Sequence, residues 1–180
     1  MNRTFRLLTV SFAATLFVIV AAAPVRAQVN DPIASIRQQY VAINKRAARS
    51  RKVKKELSGY SLEGGELIAY FDGRAVVKIV ARHFGESGNA VEEYYYRNGQ
   101  LIFVFEKVSQ YSRPLSGKVV SAIGNRFYFE DDNLIRWLGE KGKEVPVSEE
   151  YRLKEKVLLQ NSNEFVSGAR STKAVIEPSH

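Results

Sequence analysis

Few residues in this chain of 180 amino acids are suited to catalysis or metal binding. The chain has two histidines and no cysteine, and one of the histidines, His180, is the last residue. His83 is therefore the one credible imidazole base or ligand, and a single imidazole without thiolates does not complete the usual zinc ligand set. We predict no metal site and no cofactor. Because His83 ends an apolar strand-like run, a hydrogen-bonded structural role is the favoured interpretation.

Carboxylates add little acid–base chemistry. Glu92 and Glu93 are neighbours on a predicted strand, so their side chains point to opposite faces and cannot act together on one substrate. Residues 130–133 concentrate oxygen atoms but have the composition of an ordinary turn, without the spaced ligands of an EF-hand loop. The glycines match neither a Walker loop nor a dinucleotide fingerprint, so we predict no nucleotide binding. We predict that the protein is not an enzyme and keep a hydrolase using His83 with Glu92 or Glu93 as a third hypothesis.

Aromatic side chains in the central part of the chain are the strongest lead to function. Exposed tyrosine beside arginine is typical of interfaces, because the ring supplies contact area at low entropic cost. The candidate partner-binding residues are Tyr94, Tyr95, Tyr96, Arg97, Tyr128 and Trp137. A two-sided core under helices would use the same aromatic rings, and both interpretations stay open at this point.

A basic segment is the second lead. The chain has 27 Lys and Arg against 19 Asp and Glu, and residues 32–55 hold eight basic residues and no acidic one. The candidate anion-binding residues are Lys45, Arg46, Arg49, Arg51, Lys52, Lys54 and Lys55. A solvated helix end explains such a run of charge. The alternative is docking onto anionic lipid headgroups or an acidic cell-wall polymer.

Two helices are predicted to flank the aromatic region. Asp31 is a suitable N-cap, Pro32 suits the first helical position, and apolar residues then recur at three- and four-residue steps, which predicts a helix over residues 31–55. Ser148 is the N-cap of a second predicted helix over residues 148–167. The tail, residues 169–180, has no periodic pattern, and we expect disorder there.

Three segments between the helices share a plan in which two aromatic residues precede a tight turn and aliphatic residues follow it. The turns fall at residues 72–73, 98–99 and 131–132, and Asp-Gly and Asn-Gly pairs are strong hairpin signals because both accept positive φ. They predict three hairpins and about six strands in a single antiparallel meander over residues 60–140. A two-residue turn at residues 98–99 would pair Tyr96 with Leu101 and Tyr94 with Phe103.

The run Tyr95-Tyr96-Arg97-Asn98-Gly99-Gln100-Leu101 resembles the bacterial variant of MORN repeats. Hairpins of that family stack into a ribbon-like sheet and occur in surface proteins and proposed antitoxin components. The resemblance covers only the three hairpins, whose turns are 26 and 33 residues apart and so more widely spaced than the repeat. It implies an antiparallel hairpin plan and carries no activity and no functional residue.

The N-terminal segment predicts export. Arg3 and Arg6 precede an uncharged apolar run over residues 7–25, which is followed by a small-x-small pattern at residues 25–27. We predict a secretory signal peptide over residues 1–27, cleaved between Ala27 and Gln28, and a periplasmic or secreted protein. An uncleaved signal anchor in the inner membrane is the alternative. Export argues against nucleic acid as a partner, and the absence of cysteine excludes disulfides.

Residues 28–168 are enough for one domain, which we assign to the α+β class: a single antiparallel meander sheet with an N-terminal and a C-terminal helix packed on it. The function expected from these patterns is that of a non-catalytic envelope protein that binds another envelope protein or polymer through an aromatic sheet face. Electrostatic docking of the basic helix end on an anionic membrane or cell-wall polymer is the alternative.

Overall fold

A computed structural model describes residues 31–179, which form one sheet and two long helices. The helices are α1 (Pro32–Ala47) and α2 (Glu149–Arg170), with a short 3-10 turn at Glu140–Gly142. The strands are β1 (Arg51–Leu57), β2 (Gly65–Asp72), β3 (Ala75–Gly85), β4 (Gly88–Arg97), β5 (Gln100–Tyr111), β6 (Val119–Glu130), β7 (Asn133–Leu138) and β8 (Val175–Ile176).

The sheet has eight strands in the order β7-β6-β5-β4-β3-β2-β1-β8. Strands β1 to β7 pair antiparallel with their neighbours in sequence, whereas β8 pairs parallel with β1 at Glu56 and Leu57. The α+β class therefore holds, but the prediction of a six-stranded, purely antiparallel meander is wrong. The sheet is mixed, and it gains one strand from each of two segments that were expected to be helix and tail.

The first of these segments is β1. The predicted helix over residues 31–55 ends at Ala47, and the basic residues after it form a strand. Strand β1 has few apolar side chains, so periodicity did not reveal it. Its partner β2 supplies the missing apolar surface, and the Lys55 ammonium reaches inward to donate to the backbone carbonyls of Ser171, at 2.9 Å, and Lys173. The aliphatic stem of Lys55 is buried in the process.

The second segment is the tail. Helix α2 continues to Arg170, beyond the predicted end, and β8 follows within the stretch expected to be disordered. Ile176 is buried in the core, and a Cβ on Gly168 would lie 2.6 Å from its side chain. This close approach lets the chain fold back beneath the end of α2, so the tail through residue 179 is part of the domain.

The two helices cover opposite faces of the sheet. Helix α2 packs on the larger core, which includes Tyr94, Phe127 and Phe165. Helix α1 packs on a smaller core through Ile36 and Ile43. Successive side chains of a strand point to opposite faces of the sheet, and each face is covered by a helix. The central strands therefore carry apolar side chains on both faces.

Two of the three hairpin turns lie at the predicted residues, 98–99 and 131–132, whereas the first lies at residues 73–74, one residue later than predicted, because Asp72 still pairs with Ala75. Asn98 and Gly99 have φ of 52° and 84°, as a type I′ turn requires. Each hairpin also has a register shift beside its aromatic pair, between Tyr70 and Phe71, Tyr95 and Tyr96, and Tyr128 and Phe129. The predicted pairing of Tyr94 with Phe103 is therefore wrong by one residue. Phe103 pairs with Tyr95, because one extra residue on β5 forms a bulge.

None of the helices in residues 31–179 is both long and apolar enough to span a membrane. The predicted cleavage position between Ala27 and Gln28, together with the rest of the predicted signal segment, lies outside the described residues, as does His180.

Candidate functional site

The aromatic residues predicted to bind a partner lie in the two cores instead. Tyr94 and Tyr95 have no exposed surface, and the remaining aromatic candidates are less than a tenth exposed, at 3% for Tyr96, 4% for Tyr128 and 8% for Trp137. Of the two interpretations left open by the sequence, the two-sided core is the one observed. An exposed aromatic sheet face formed by these residues is absent from the described part of the chain.

Four of these aromatic side chains have hydrogen-bond partners inside the protein: Tyr94, Tyr95, Tyr96 and Trp137. The Ser162 hydroxyl donates to the Tyr96 hydroxyl at 3.1 Å, and Trp137 donates to Asn125 at 3.3 Å. Arg97 donates to Ser35 on α1 at 3.0 Å and so ties the turn after β4 to that helix. Burial raises the pKa of Tyr96 above its ordinary value. These contacts stabilise the fold and leave little of Tyr94, Tyr95, Tyr96 and Trp137 for a partner to bind.

His83 meets Glu92 on the α2 face of the sheet. Its Nε2 lies 3.4 Å from a Glu92 carboxylate oxygen, which also accepts the Tyr94 hydroxyl at 2.7 Å. Burial acts to raise the pKa of Glu92, but the His83 and Tyr94 contacts and the Lys154 charge outweigh it and hold that pKa below its ordinary value. Glu93 points to the other face, so only one of the two predicted carboxylates is available to His83.

A second buried carboxylate lies opposite Glu92. Glu106 is its cross-strand partner on β5, and two carboxylates so placed repel each other unless a cation is near. Lys154 of α2 supplies that cation at 2.5 Å from Glu106, and Asn125 donates to the same carboxylate at 2.7 Å. The lysine therefore joins α2 to the middle of the sheet and balances the pair.

His83 has few polar neighbours besides Glu92 in the described residues. Among residues 31–179 the buried Nδ1 atom of His83 has no hydrogen-bond partner, although the residue borders a cavity of about 480 Å³ lined mainly by β3 to β6. In residues 31–179 no hydroxyl group hydrogen-bonds to His83. No cluster of metal-ligating side chains is found in the same residues.

A matching cluster lies on the α1 face. Lys78 is buried and contacts Glu93 at 2.7 Å and the Asn44 side-chain oxygen of α1 at 2.9 Å. The Tyr95 hydroxyl donates to Glu93 and lies 3.1 Å from the Asn44 side-chain oxygen. Burial acts to raise the pKa of Glu93, but hydrogen bonds from Lys78 and Tyr95 outweigh it and lower that pKa. The cluster fixes the last turns of α1 on the sheet.

The basic segment is distributed over one end of the molecule and does not form a single helix face. Lys45 and Arg46 lie in the last turn of α1, Arg49 follows that helix, and the others lie on β1. All are exposed except Lys55, which is buried and bonded to backbone carbonyls. Lys55 is therefore structural, and the exposed anion-binding candidates are Lys45, Arg46, Arg49, Arg51, Lys52 and Lys54.

Most of this charge has no acidic partner. Within residues 31–179, only Arg46, at 3.5 Å from Asp72, and Lys54, at 2.6 Å from Glu66, approach a carboxylate. Arg51 lies over the Phe71 ring, with its guanidinium carbon 3.8 Å from the ring centre. Cations on aromatic rings keep their full charge, so this end of the molecule is strongly positive.

Two arginines that the sequence did not point to extend this positive surface. Arg74, in the β2–β3 turn, and Arg170, the last residue of α2, line a cavity of about 310 Å³ together with Arg51. Neither is within ion-pair distance of an acidic side chain in the described residues. Their grouping depends on how α2 crosses the sheet, which no local signal reveals. We name the six exposed candidates together with Arg74 and Arg170 the basic edge.

The chain was compared with protein-family models, curated proteins and solved structures, and none of them matches it.

Proposed function

We propose that this chain is an exported, non-catalytic binding protein that docks on an anionic phospholipid surface through the basic edge. The observation that carries the proposal is the collection of eight exposed cations from α1, β1, the β2–β3 turn and α2 at one end of the fold, of which only two face a carboxylate. Each basic residue near an anionic membrane contributes about 1 kcal/mol of binding free energy.

An apolar group beside the charge favours a membrane over a soluble polymer. Val41 is 62% exposed and precedes Lys45 by one turn on the same side of α1. A headgroup layer accommodates cations and a small apolar side chain together, because the boundary of the acyl chains lies just beneath the charges. A soluble polyanion has no such layer to receive the valine.

The structural alternative is protection of a sheet edge. Strand β8 covers only the last two residues of β1, so most of the outer side of β1 is unpaired, and lysine on such a strand prevents pairing with another chain. That role requires the charges of β1 alone. It gives no reason for the cations of α1 and α2 at the same end, and those residues therefore provide the decisive test.

The test is sedimentation with vesicles of phosphatidylglycerol and phosphatidylcholine, using protein purified after expression of the full-length chain. One variant carries Lys45→Gln, Arg46→Gln, Arg49→Gln and Arg170→Gln, and leaves every charge of β1 in place. The matched control removes the same charge from exposed positions elsewhere, as Arg113→Gln, Lys118→Gln, Lys143→Gln and Lys156→Gln. We expect the first variant to bind at least about tenfold more weakly than the control, and the wild type to be released by salt.

Three outcomes would contradict the proposal. Equal binding by the two variants would show that only net charge matters. Binding to pure phosphatidylcholine, or binding that survives high salt, would remove the electrostatic basis. Retention on an acidic polymer with no recovery on anionic vesicles would assign the basic edge to a polymer. Light scattering on both variants distinguishes lost docking from aggregation caused by an unprotected β1 edge.

A further inference from the structure

A second positive site lies under α1, away from the basic edge. A cavity of about 350 Å³ opens between α1 and strands β5 and β6. Ile36 and Tyr40 form its helical wall, and Phe103, Phe105 and Tyr128 form its floor. We name it the α1 cleft. It is within the size range of small-ligand sites, and apolar and aromatic side chains line most of it, as they do in such sites.

The aromatic rings of the α1 cleft are held in fixed positions. The Tyr40 ring meets Phe103 edge-on at 5.5 Å between centres, and Phe103 and Tyr128 lie 5.0 Å apart in a tilted pair. Phe103 and Tyr128 are buried and paired across β5 and β6, whereas Tyr40 remains 37% exposed. The floor is therefore rigid and the helical wall is open to solvent. Such a site can receive a flat ring without rearranging the sheet.

Two arginines border this apolar floor. Arg37 lies beside Ile36 on α1, with its guanidinium carbon 6.0 Å from the centre of the Tyr128 ring. Arg126 is the cross-strand partner of Phe105 and lies 5.6 Å from that ring centre. Both are exposed, and among residues 31–179 neither has a carboxylate within ion-pair distance. The cleft thus carries two positive charges that the protein itself does not neutralise.

Charge and shape together specify the ligand class. A guanidinium group binds carboxylate, sulfonate or phosphate through paired N–H donors, and aromatic rings favour a planar apolar group. We propose that the α1 cleft binds a small amphiphilic anion, a planar apolar ring that bears a carboxylate, sulfonate or phosphate group. The ring packs against Phe103 and Tyr128, and the anionic group faces Arg37 and Arg126. None of these residues belongs to the basic edge, so this site is independent of membrane docking.

The ligand class predicts selectivity. A neutral ring of the same shape keeps the packing but leaves both guanidinium groups without a partner, and a cationic ring is repelled. A small anion without a ring, such as acetate, keeps the charge contact and loses the apolar burial. We therefore expect an aryl carboxylate to bind more tightly than either half of its structure alone.

The test uses 2-naphthoate as the probe and isothermal titration calorimetry as the measurement, on protein purified after expression of the full-length chain. We expect 2-naphthoate to bind saturably. The affinity for 2-naphthamide, which has the same ring without the charge, should be at least about tenfold lower. The variant Arg37→Gln/Arg126→Gln should lose a similar factor. The variant Arg113→Gln/Arg152→Gln removes two exposed arginines elsewhere and should bind as the wild type does.

A second variant and a direct readout keep the test decisive. Tyr40→Ser removes part of the helical wall at a half-exposed position and should weaken 2-naphthoate binding without changing its preference over the amide. Side-chain Nε–H signals of Arg37 and Arg126 should shift in NMR spectra as the probe is added. Equal affinity for naphthoate and naphthamide, wild-type affinity in the Arg37→Gln/Arg126→Gln variant, or unshifted signals of both arginines would overturn the proposal.

Discussion

Glu92 and Glu93 are neighbours on β4, and each builds a polar cluster on its own face of the sheet. Each carboxylate accepts a hydroxyl group from the tyrosine two residues further along, Tyr94 or Tyr95. Each also faces a basic residue of β3, His83 at 3.4 Å or Lys78 at 2.7 Å. The alternation of a strand thus places the same three-part arrangement on both faces.

The two clusters differ in what the third residue does. On the α1 face, Lys78 is a permanent cation and reaches beyond the carboxylate to Asn44, so the cluster ties the helix to the sheet. On the α2 face, His83 makes one long contact and its other nitrogen has no partner in the described residues. There a separate pair, Lys154 with Glu106, joins the helix to the sheet.

The two clusters lie beside cores of different size. The smaller α1 core has fewer apolar contacts, so its polar cluster is a larger share of what holds α1. The α2 core relies on many buried aliphatic and aromatic side chains, including Leu158 and Phe165. We therefore expect the α1 face to be the more sensitive to loss of its cation.

The largest expected effect comes from Lys78→Met. The change keeps most of the side-chain volume but leaves Glu93 half-buried without its cation, and we expect the free energy of unfolding to fall by about 3 kcal/mol. Urea denaturation at pH 7 measures the change. Lys107→Met, at an exposed position of β5, is the control and should stay within about 0.5 kcal/mol of the wild type.

His83→Phe sharpens the contrast between the faces. A loss of stability as large as that of Lys78→Met would show that the long His83 contact matters as much as the short lysine pair. The α1 face would then be no more sensitive than the α2 face to loss of its basic residue. Rescue of Lys78→Met by a second change, Glu93→Leu, would support the view that the uncompensated carboxylate, and not lost packing, causes the destabilisation.

The positions of these clusters illustrate what the sequence could and could not predict. Turn chemistry located the hairpins, and strand alternation correctly separated Glu92 from Glu93. The bulges of the three hairpins were not predictable, because the extra residue in each is of the same kind as its strand neighbours and no turn or glycine signal marks it. Strand β1 was missed because most of its residues are charged and show no apolar alternation, and β8 was missed because it is only two residues long. Both depend on tertiary partners that local patterns do not contain.

The candidate sites were harder to predict than the fold. Tyrosine is as suited to a core as to an interface, and only the path of the two helices decides which role Tyr94, Tyr95 and Tyr96 have. The basic residues were found because they are contiguous in sequence. Arg74, Arg126 and Arg170 were missed because their neighbours in space come from other elements.

Removing the tyrosine hydroxyl groups should give effects of intermediate size. We expect Tyr94→Phe to cost about 2 kcal/mol, since its hydroxyl donates to an ionised carboxylate, and Tyr96→Phe about 1 kcal/mol, since its partner is the neutral Ser162. Both rings are buried in the same core, which makes the pair a matched comparison. Chemical denaturation of the two variants measures the difference, and equal losses would show that the charge of Glu92 adds nothing to the bond.

The smallest expected effect is on the acid limb of the stability profile. The pKa of Glu93 is lowered in the folded protein, so the folded state binds fewer protons than the unfolded state, and stability falls as pH drops below the ordinary glutamate value of 4.5. The contribution of Glu93 is fully present above that pH and is lost as pH passes through the lowered pKa. One proton corresponds to a slope of at most about 1.4 kcal/mol per pH unit.

Glu93→Gln should therefore lower stability at pH 7 and flatten its decline below pH 4.5, because glutamine does not take up a proton there. Glu92→Gln should flatten the same region, since the pKa of Glu92 is also lowered. Urea midpoints collected at half-unit pH steps compare the two faces directly. If the carboxylate on each face is stabilised by its own cluster, the two flattening effects should add in the double variant, because the side chains lie on opposite sides of the sheet and share no partner. A double variant no flatter than either single one would instead mean that one coupled titration spans the sheet.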